Sequence, residues 1–347
     1  MSTLAPERPA GPGHPAPPPG RTPWRTVLGL AAGLTAALAV LLAAFAWPAT
    51  QSRPRDLPVA VVGPPPAVEQ VRAALAQAQP GAFAVTPAAD AGQARQLVRD
   101  REAAGALVLG PDGPGVVVAT QGGPAVAQLL VQVAQGASGS SVPVEDVAAP
   151  PADDPRGAGL AAGALPLSII GAVSGAVLAV RVRGPARRAA GAVVLALLGG
   201  PTAVAVLHGW LGALGGDWPA EAAVVSLGLA ATSLGVLGVA AVAGRVGLVL
   251  AELTVVVLGN PLSAAASAPE LLPAGWSELG QALPPGAVVA ALRAVSGFDG
   301  TGAGRPLTVL ALWAAGGLLL LAVATAWRRR AGHPTAAVGP DRAVEHG

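Results

Sequence analysis

The sequence predicts an α-helical integral membrane protein with six transmembrane helices and a small α/β extracytoplasmic domain between helices 1 and 2. Three observations carry this reading. Residues 152–180 pass from Asp153, Asp154 and Arg156, which belong in water, to a run without charge from Gly157 to Val180; within it, residues 160–180 are long enough to cross the ~30 Å hydrocarbon core as a helix. Beyond that hand-over the chain is almost continuously apolar, and only 12% of its 347 residues are charged, about half the share of a typical soluble domain. Arginines gather in the short segments between apolar runs, as they do on the cytoplasmic side of a membrane.

Taken in order, residues 1–23 are dense in Pro and Gly and are expected to form a disordered cytoplasmic tail. Residues 24–47 form the first span, with Trp24 and Trp47 at its ends as in an interfacial aromatic belt. The apolar run exceeds the ~7–15 residues of a signal peptide, so a retained helix is expected. Residues 56–150 form the external module. Val59 to Val62 is a short apolar run between Pro58 and Gly63, hence a strand. Val68, Val71, Leu75 and Ala78 then recur at helical spacing, and Phe83 to Val85 is a second strand. Asp90 and Gln93 form a capping box opening a helix expected to close near Gly105. The runs 106–109 and 116–119 flank Pro111, Asp112 and Gly113 and predict a hairpin. Pro124 opens a helix expected to end at Gly136, and Val142, Val144 and Val147 make a last strand. The order βαβαββαβ implies a small α/β sandwich.

The second span is residues 160–180 and the third 189–207, followed by a loop at 208–219. The fourth is 220–243, the fifth 246–259 after a very tight turn at Gly244 and Arg245, and the sixth 306–327. Residues 260–305 are an external re-entrant or interfacial segment, and 328–347 a cytoplasmic tail. With the N-terminus inside, inside segments hold 12 of the 21 Arg and only three carboxylates, Glu7, Asp341 and Glu345; outside segments hold nine Arg and 15 carboxylates, and Glu252 lies within the membrane. Both termini are therefore expected in the cytoplasm.

Composition removes several classes of chemistry. There is no Cys, so disulfides and thiolate metal sites are excluded. All 21 basic residues are Arg; without Lys there is no P-loop. His14, His208, His333 and His346 have no metal-ligand spacing, and no nucleophile elbow is present. Gly157, Gly159 and Gly163 lack the spacing and the preceding strand of a nucleotide loop. The net charge of +2 is too small to point to nucleic acid. No catalytic site, cofactor or metal is expected; the expected surroundings are a lipid bilayer.

Three features stand out from that apolar background. Glu252 lies seven residues past Arg245, about 10 Å along a helix; a carboxylate within a membrane is costly and is a functional candidate by default. Asn260 and Pro261 then stop the fifth helix, since Pro cannot extend the ladder and restrains the residue before it. Amphipathic pieces follow at 270–283 and 288–296, separated by Pro284 and Pro285, with Trp276 suited to the headgroup level. Glu252, Asn260, Pro261 and Trp276 are thus candidate translocation or gate residues. The pairs Gly29-x-x-x-Gly33 and Gly171-x-x-x-Gly175 are small-residue helix-packing signals that serve either a dimer or packing within the chain.

One span, a βαβ-rich external domain and five more spans resemble the permeases of type-2 ABC exporters and the related phage-infection-protein (Pip) membrane proteins of GC-rich bacteria. The local stretches that carry the resemblance are Asp153-Asp-Pro-Arg-Gly-Ala-Gly-Leu160 at the second span, Asn260-Pro-Leu-Ser263, Ala268-Pro-Glu-Leu-Leu-Pro-Ala-Gly-Trp276 and Leu283-Pro-Pro-Gly286. The chain departs from the pattern in its Pro-rich tail, where such permeases carry an amphipathic helix. The resemblance implies a bacterial cell-membrane location, a separate ABC ATPase docked on cytoplasmic loops, and a path formed by two permease copies, as a homodimer or heterodimer. The docking candidates are Arg181, Arg183, Arg187 and Arg188, in the inside loop that has both length and charge. The alternative is a non-transporting, membrane-anchored binding or envelope protein using its external domain; a proton-coupled carrier built on Glu252 is a third reading.

Overall fold

In the computed structural model, which describes residues 23–110 and 113–331, a five-stranded sheet is followed by a bundle of apolar helices. Five helices are long and apolar enough to cross a membrane: Trp24–Trp47, Gly159–Arg181, Pro185–Trp210, Trp218–Gly259 and Gly304–Arg330. This is compatible with a multi-pass membrane protein. Residues up to Ala43 make one compact unit and those from Ala44 a second. The first unit is most of helix α1 (Trp24–Thr50). The tails at 1–22 and 332–347, and Pro111 and Asp112 of the hairpin turn, lie outside the described residues.

The sheet domain runs β1 (Leu57–Val62), α2 (Pro65–Ala78), β2 (Phe83–Ala88), α3 (Ala91–Arg99), β3 (Gly105–Gly110), β4 (Gly113–Val118), α4 (Pro124–Ser138) and β5 (Val144–Asp146). The strand order is β2-β1-β3-β4-β5. β1 is parallel to β2 and β3, β3 and β4 form the antiparallel hairpin with Gly110 opposite Gly113, and β5 runs parallel to β4. The period-two alternation of strands sorts the core into two faces. Leu57, Val59, Val61, Leu107, Val116 and Val118 pack with Val68 of α2 and Val126 and Leu130 of α4. Ala60, Ala106 and Val117 pack with Ala94 and Val98 of α3.

Three local details differ from the sequence expectation. α3 stops at Arg99 rather than near Gly105, because Arg101 turns the chain in the left-handed region (φ 61°); Asp90 caps it by accepting from the Gln93 amide at 2.8 Å, but the Gln93 carboxamide reaches the Ala89 amide rather than that of Asp90. α4 runs past Gly136 to Ser138 and is ended by Gly139 at φ 67°, as left-handed glycines commonly end helices. The last strand is only three residues, and Val142 is buried in the core before it.

In the bundle, α5 (Gly159–Arg181) is capped by Asp154, whose carboxylate accepts from the Ala158 amide at 3.0 Å and the Gly159 amide at 2.6 Å; Gly157 turns the chain into this cap at φ 63°, and Gly163 lies against Leu207. α6 (Pro185–Val204) continues into π-helical winding over Ala205–Trp210, so His208 and Trp210 end a helix rather than lie in a loop. α7 (Trp218–Glu252) is the hub, buried on nearly all sides up to Ala241 and packed against α5, α6 and α10 (Gly304–Ala331). With the π-helical Leu253–Gly259 it would be about 63 Å long if straight, twice the hydrocarbon core. It is not straight. Gly244 has φ 64° and ψ −141°, and a Cβ on Gly247 would fall 2.7 Å from the Val239 carbonyl oxygen eight residues back. The chain therefore folds back on itself at Gly244, joining Val236 with Ala251 and Val255 in one apolar cluster with Ala172 of α5.

For residues 260–305 the sequence leaves a re-entrant and an interfacial arrangement open. These residues hold α8 (Trp276–Ala282) and α9 (Pro284–Gly297). α9 does not lie on a surface: Ala287, Val289, Ala291, Leu292, Arg293 and Ala294 are all buried, against α7 and α10. The small-residue pair Gly171 and Gly175 is also consumed within the chain. Cβ atoms there would meet the Thr232 Cβ at 2.9 Å and the Ser233 carbonyl oxygen at 2.8 Å, so this face is where α7 crosses α5 and is not free for a dimer.

Candidate functional site

The polar groups that the apolar bundle cannot leave unpaired mark the site. They lie where the sheet domain, the end of α9, the end of α6 and the start of α7 meet. Asp217 opens α7 by accepting from the Ala220 amide at 3.0 Å, and the next carboxylate, Glu221, points inward with 0% exposure. Its Oε1 accepts from the Gly216 amide at 2.9 Å and the Ser296 hydroxyl at 2.7 Å, while its Oε2 lies 2.7 Å from Nδ1 of the half-buried His208. One carboxylate thus ties the end of α6, the start of α7 and the end of α9. The π-helical winding at Ala205–Trp210 carries His208, in the kind of local distortion that recurs at functional sites.

One turn earlier on α9, Arg293 is 3% exposed. Its Nη2 donates to the carbonyl oxygens of Ala264, Ala265 and Ser267, each at 3.0 Å. An NH₂ group has two hydrogens, so three acceptors share them. Loss of water lowers the Arg293 pKa to about 10, with Glu270 opposing the shift; the side chain stays charged at neutral pH. Arg293 therefore holds the turn after the π-helix in shape. Ala264 in that turn has φ 55°.

The same segment grips the sheet from both sides. Ala268 and Leu271 enter the core face shared with α2 and α4, and the Leu271 carbonyl accepts from the Arg53 amide at 3.1 Å and from Arg55 Nη1 at 2.9 Å. Phe298, 7% exposed, enters the opposite face with Ala60, Val98 and Ala119. The Arg101 guanidinium sits 5.1 Å from its ring centroid. A small cavity of about 70 Å³ remains at this junction, lined among others by Arg101, Glu270 and Phe298.

The structure places the sequence-predicted residues as follows. Glu252 is half-buried at the end of α7, and its Oε1 is buried with no hydrogen-bond partner among the described residues. Asn260 follows the π-helical Leu253–Gly259 and has helical φ/ψ (−73°, −52°), not the extended geometry that a following Pro favours; its Nδ2 is likewise buried and unpartnered. Pro261 opens a 3₁₀ turn, Pro261–Ser263, that prolongs the helical sense, and Ala264 is the residue that ends it. Trp276 opens α8 and packs edge-to-face on Trp47, with ring centroids 5.0 Å apart. Arg181, Arg183 and Arg187 are exposed around the α5–α6 turn, but Arg188 is half-buried and donates from Nε to the Val182 carbonyl at 2.8 Å, closing the end of α5.

Sequence reasoning missed His208, Glu221, Ser296, Arg293 and Phe298. Ser296 stands 75 residues from Glu221, beyond any local spacing rule. A Glu in the first turn of a helix reads as dipole complementation, and an Arg on an amphipathic piece reads as a wet face. No protein-family model, curated protein or solved structure matches the chain. Among the described residues, no group of three or more His, Asp or Glu is placed to hold a metal.

Proposed function

We propose that the chain is the permease-like membrane subunit of an ABC-type exporter, driven by a separate ATPase, in a bacterial cell membrane. In this reading it has six spans, counting the two limbs of the α7 hairpin on either side of Gly244 separately, with both termini cytoplasmic. The observation that carries it is the second limb: a short, partly π-wound segment inside an apolar bundle, bearing in Glu252 a carboxylate whose buried oxygen has no partner among the described residues, and ending beside the buried α9. Broken helices that bear a polar group at membrane depth are how carriers build a path. Trp276 and the turn from Asn260 to Ala264 lie at the outer end of that path, and the exposed Arg181, Arg183 and Arg187 offer the ATPase a basic turn.

The test is affinity purification of the full chain in mild detergent. A stoichiometric ABC ATPase should copurify, and Arg183→Gln with Arg187→Gln should weaken that association while membrane insertion survives. An absent ATPase, with no stimulation of candidate ATPases, rejects the proposal. The second reading, a non-transporting binding or envelope protein, is favoured by the cavity beside Arg101 and Glu270 where the sheet domain meets residues 260–305 and predicts a soluble ligand or protein retained in the same preparation without an ATPase.

A further inference from the structure

At the end of the bundle opposite the sheet domain's junction, α6 and α10 line a groove of about 600 Å³. Its walls are Ala186 and Ala189 on α6 and Leu318, Leu321, Ala322 and Thr325 on α10, and its mouth is flanked by Arg329 and Arg330. No acidic residue lines it. We propose that this groove seats one anionic phospholipid, with an acyl chain between α6 and α10 and the phosphate at Arg329 and Arg330.

Three features select that occupant. From Leu318 to Arg330 the groove extends about 18 Å along α10, slightly more than half of the ~30 Å hydrocarbon core, which is the reach of a lipid from one leaflet. The charge divides in the same sense. Arg328 is spent inside the protein, donating to the Ala241 carbonyl near the α7 hairpin turn, whereas Arg329 and Arg330 are exposed at the groove's mouth. The first turn of α6 opens at the same mouth: Pro185 and Ala186 both line the groove, and a helix N-terminus favours negative charge. An apolar slot ending in two exposed guanidinium groups beside a helix N-terminus matches a lipid that is apolar along its length and anionic at its head. Basic pockets between membrane helices are a general basis for binding anionic headgroups. The inference does not depend on transport or on an ATPase.

The test uses the full chain, purified in detergent and mixed with equal amounts of phosphatidylglycerol and phosphatidylcholine; native mass spectrometry reads the lipid retained. The wild type should retain phosphatidylglycerol preferentially. Arg329→Gln with Arg330→Gln should reduce that preference about 30-fold, each basic side chain at an anionic surface contributing about fivefold. Arg245→Gln, which removes an arginine not lining the groove, should leave it unchanged. Ala322→Trp, on the exposed wall of the groove, should block retention of both lipids by filling the slot. The proposal is overturned if the double variant keeps the wild-type preference, or if Arg245→Gln loses it equally. It is also overturned if Ala322→Trp still retains phosphatidylglycerol, or if the groove proves to be filled by a second copy of the chain whose dissociation is needed before lipid binds.

Discussion

Glu221 is the single side chain whose removal the structure weights most heavily. Glu221→Ala deletes the acceptor for the Gly216 amide, the Ser296 hydroxyl and the His208 ring at once. Hydrogen bonds to a carboxylate contribute about 1.5–3 kcal/mol each, and a buried donor left unpaired keeps its desolvation cost. The three are not additive; we expect a loss of about 4 kcal/mol, or roughly 10 °C in melting temperature. Glu221→Gln should be far milder, at about 1 kcal/mol. Its one oxygen can still serve Gly216 and Ser296, and its amide can donate to His208 Nδ1 once the ring adopts the other tautomer. Ser296→Ala should cost about 1 kcal/mol in the wild type and almost nothing in Glu221→Ala, since its partner is already gone. Thermal melts of the detergent-solubilised chain followed by its seven Trp measure all four variants. Equal melting temperatures for the Ala and Gln variants, or the same Ser296→Ala cost in both backgrounds, would refute the knot.

Three further outcomes follow from the bundle. Gly244→Ala should destabilise by about 1–3 kcal/mol although nothing lies within 4 Å of its added Cβ, because φ 64° with ψ −141° is strained for any L side chain; an unchanged melt would mean that the hairpin turn is built differently. Arg293→Met should cost about 3 kcal/mol by orphaning the three carbonyls it serves, and Arg293→Lys, with three N–H donors for those carbonyls, clearly less; identical melts for both would show that the side chain only fills space. Trp276→Ala and Trp47→Ala should couple by about 0.5–1.5 kcal/mol in a double-mutant cycle, the worth of an edge-to-face pair, and strict additivity would remove that contact.

What could be read in the sequence was set by periodicity and by gross polarity. Val59 and Val61 against Ala60, and Val116 and Val118 against Val117, alternate at period two, and those two sets are the two core faces of the sheet. The hand-over at Asp154 and Gly157 is sharp because water and hydrocarbon select opposite residues, and it is where α5 begins. The segment from Pro261 to Ala303 was not legible for a matching reason. A helix buried among other helices and one lying in a lipid interface both need apolar residues at helical spacing, so the pattern at 288–296 could not distinguish them. What decides is the partner of each polar group. Arg293 and Ser296 find theirs 26–29 and 75 residues away. Glu252 and the Asn260-Pro261 pair stand out in the sequence by local oddity; the knot around Glu221 has none.

Apolar contacts and hydrogen bonds divide the work at the junction between the sheet and the bundle. Leu271 and Phe298 bury apolar area on opposite faces of the sheet, which resists separation but is non-directional and tolerates sliding. The two polar ties on α9 supply the missing direction. Arg293 fixes the turn after the second limb of α7 to α9, and Ser296, one turn on, fixes α9 to the start of the first limb through Glu221. Because the limbs are joined at Gly244, both ends of the α7 hairpin are tied to one helix, and that helix runs directly into Phe298 in the sheet. Phe298 in the sheet is therefore linked through α9 to both ends of the hairpin. The first limb is packed on nearly every side by α5, α6 and α10, whereas the second is short, partly π-wound and holds a carboxylate oxygen with no partner among the described residues. Of the two limbs, the second is the one with less packing to lose, and it is the limb that carries Glu252.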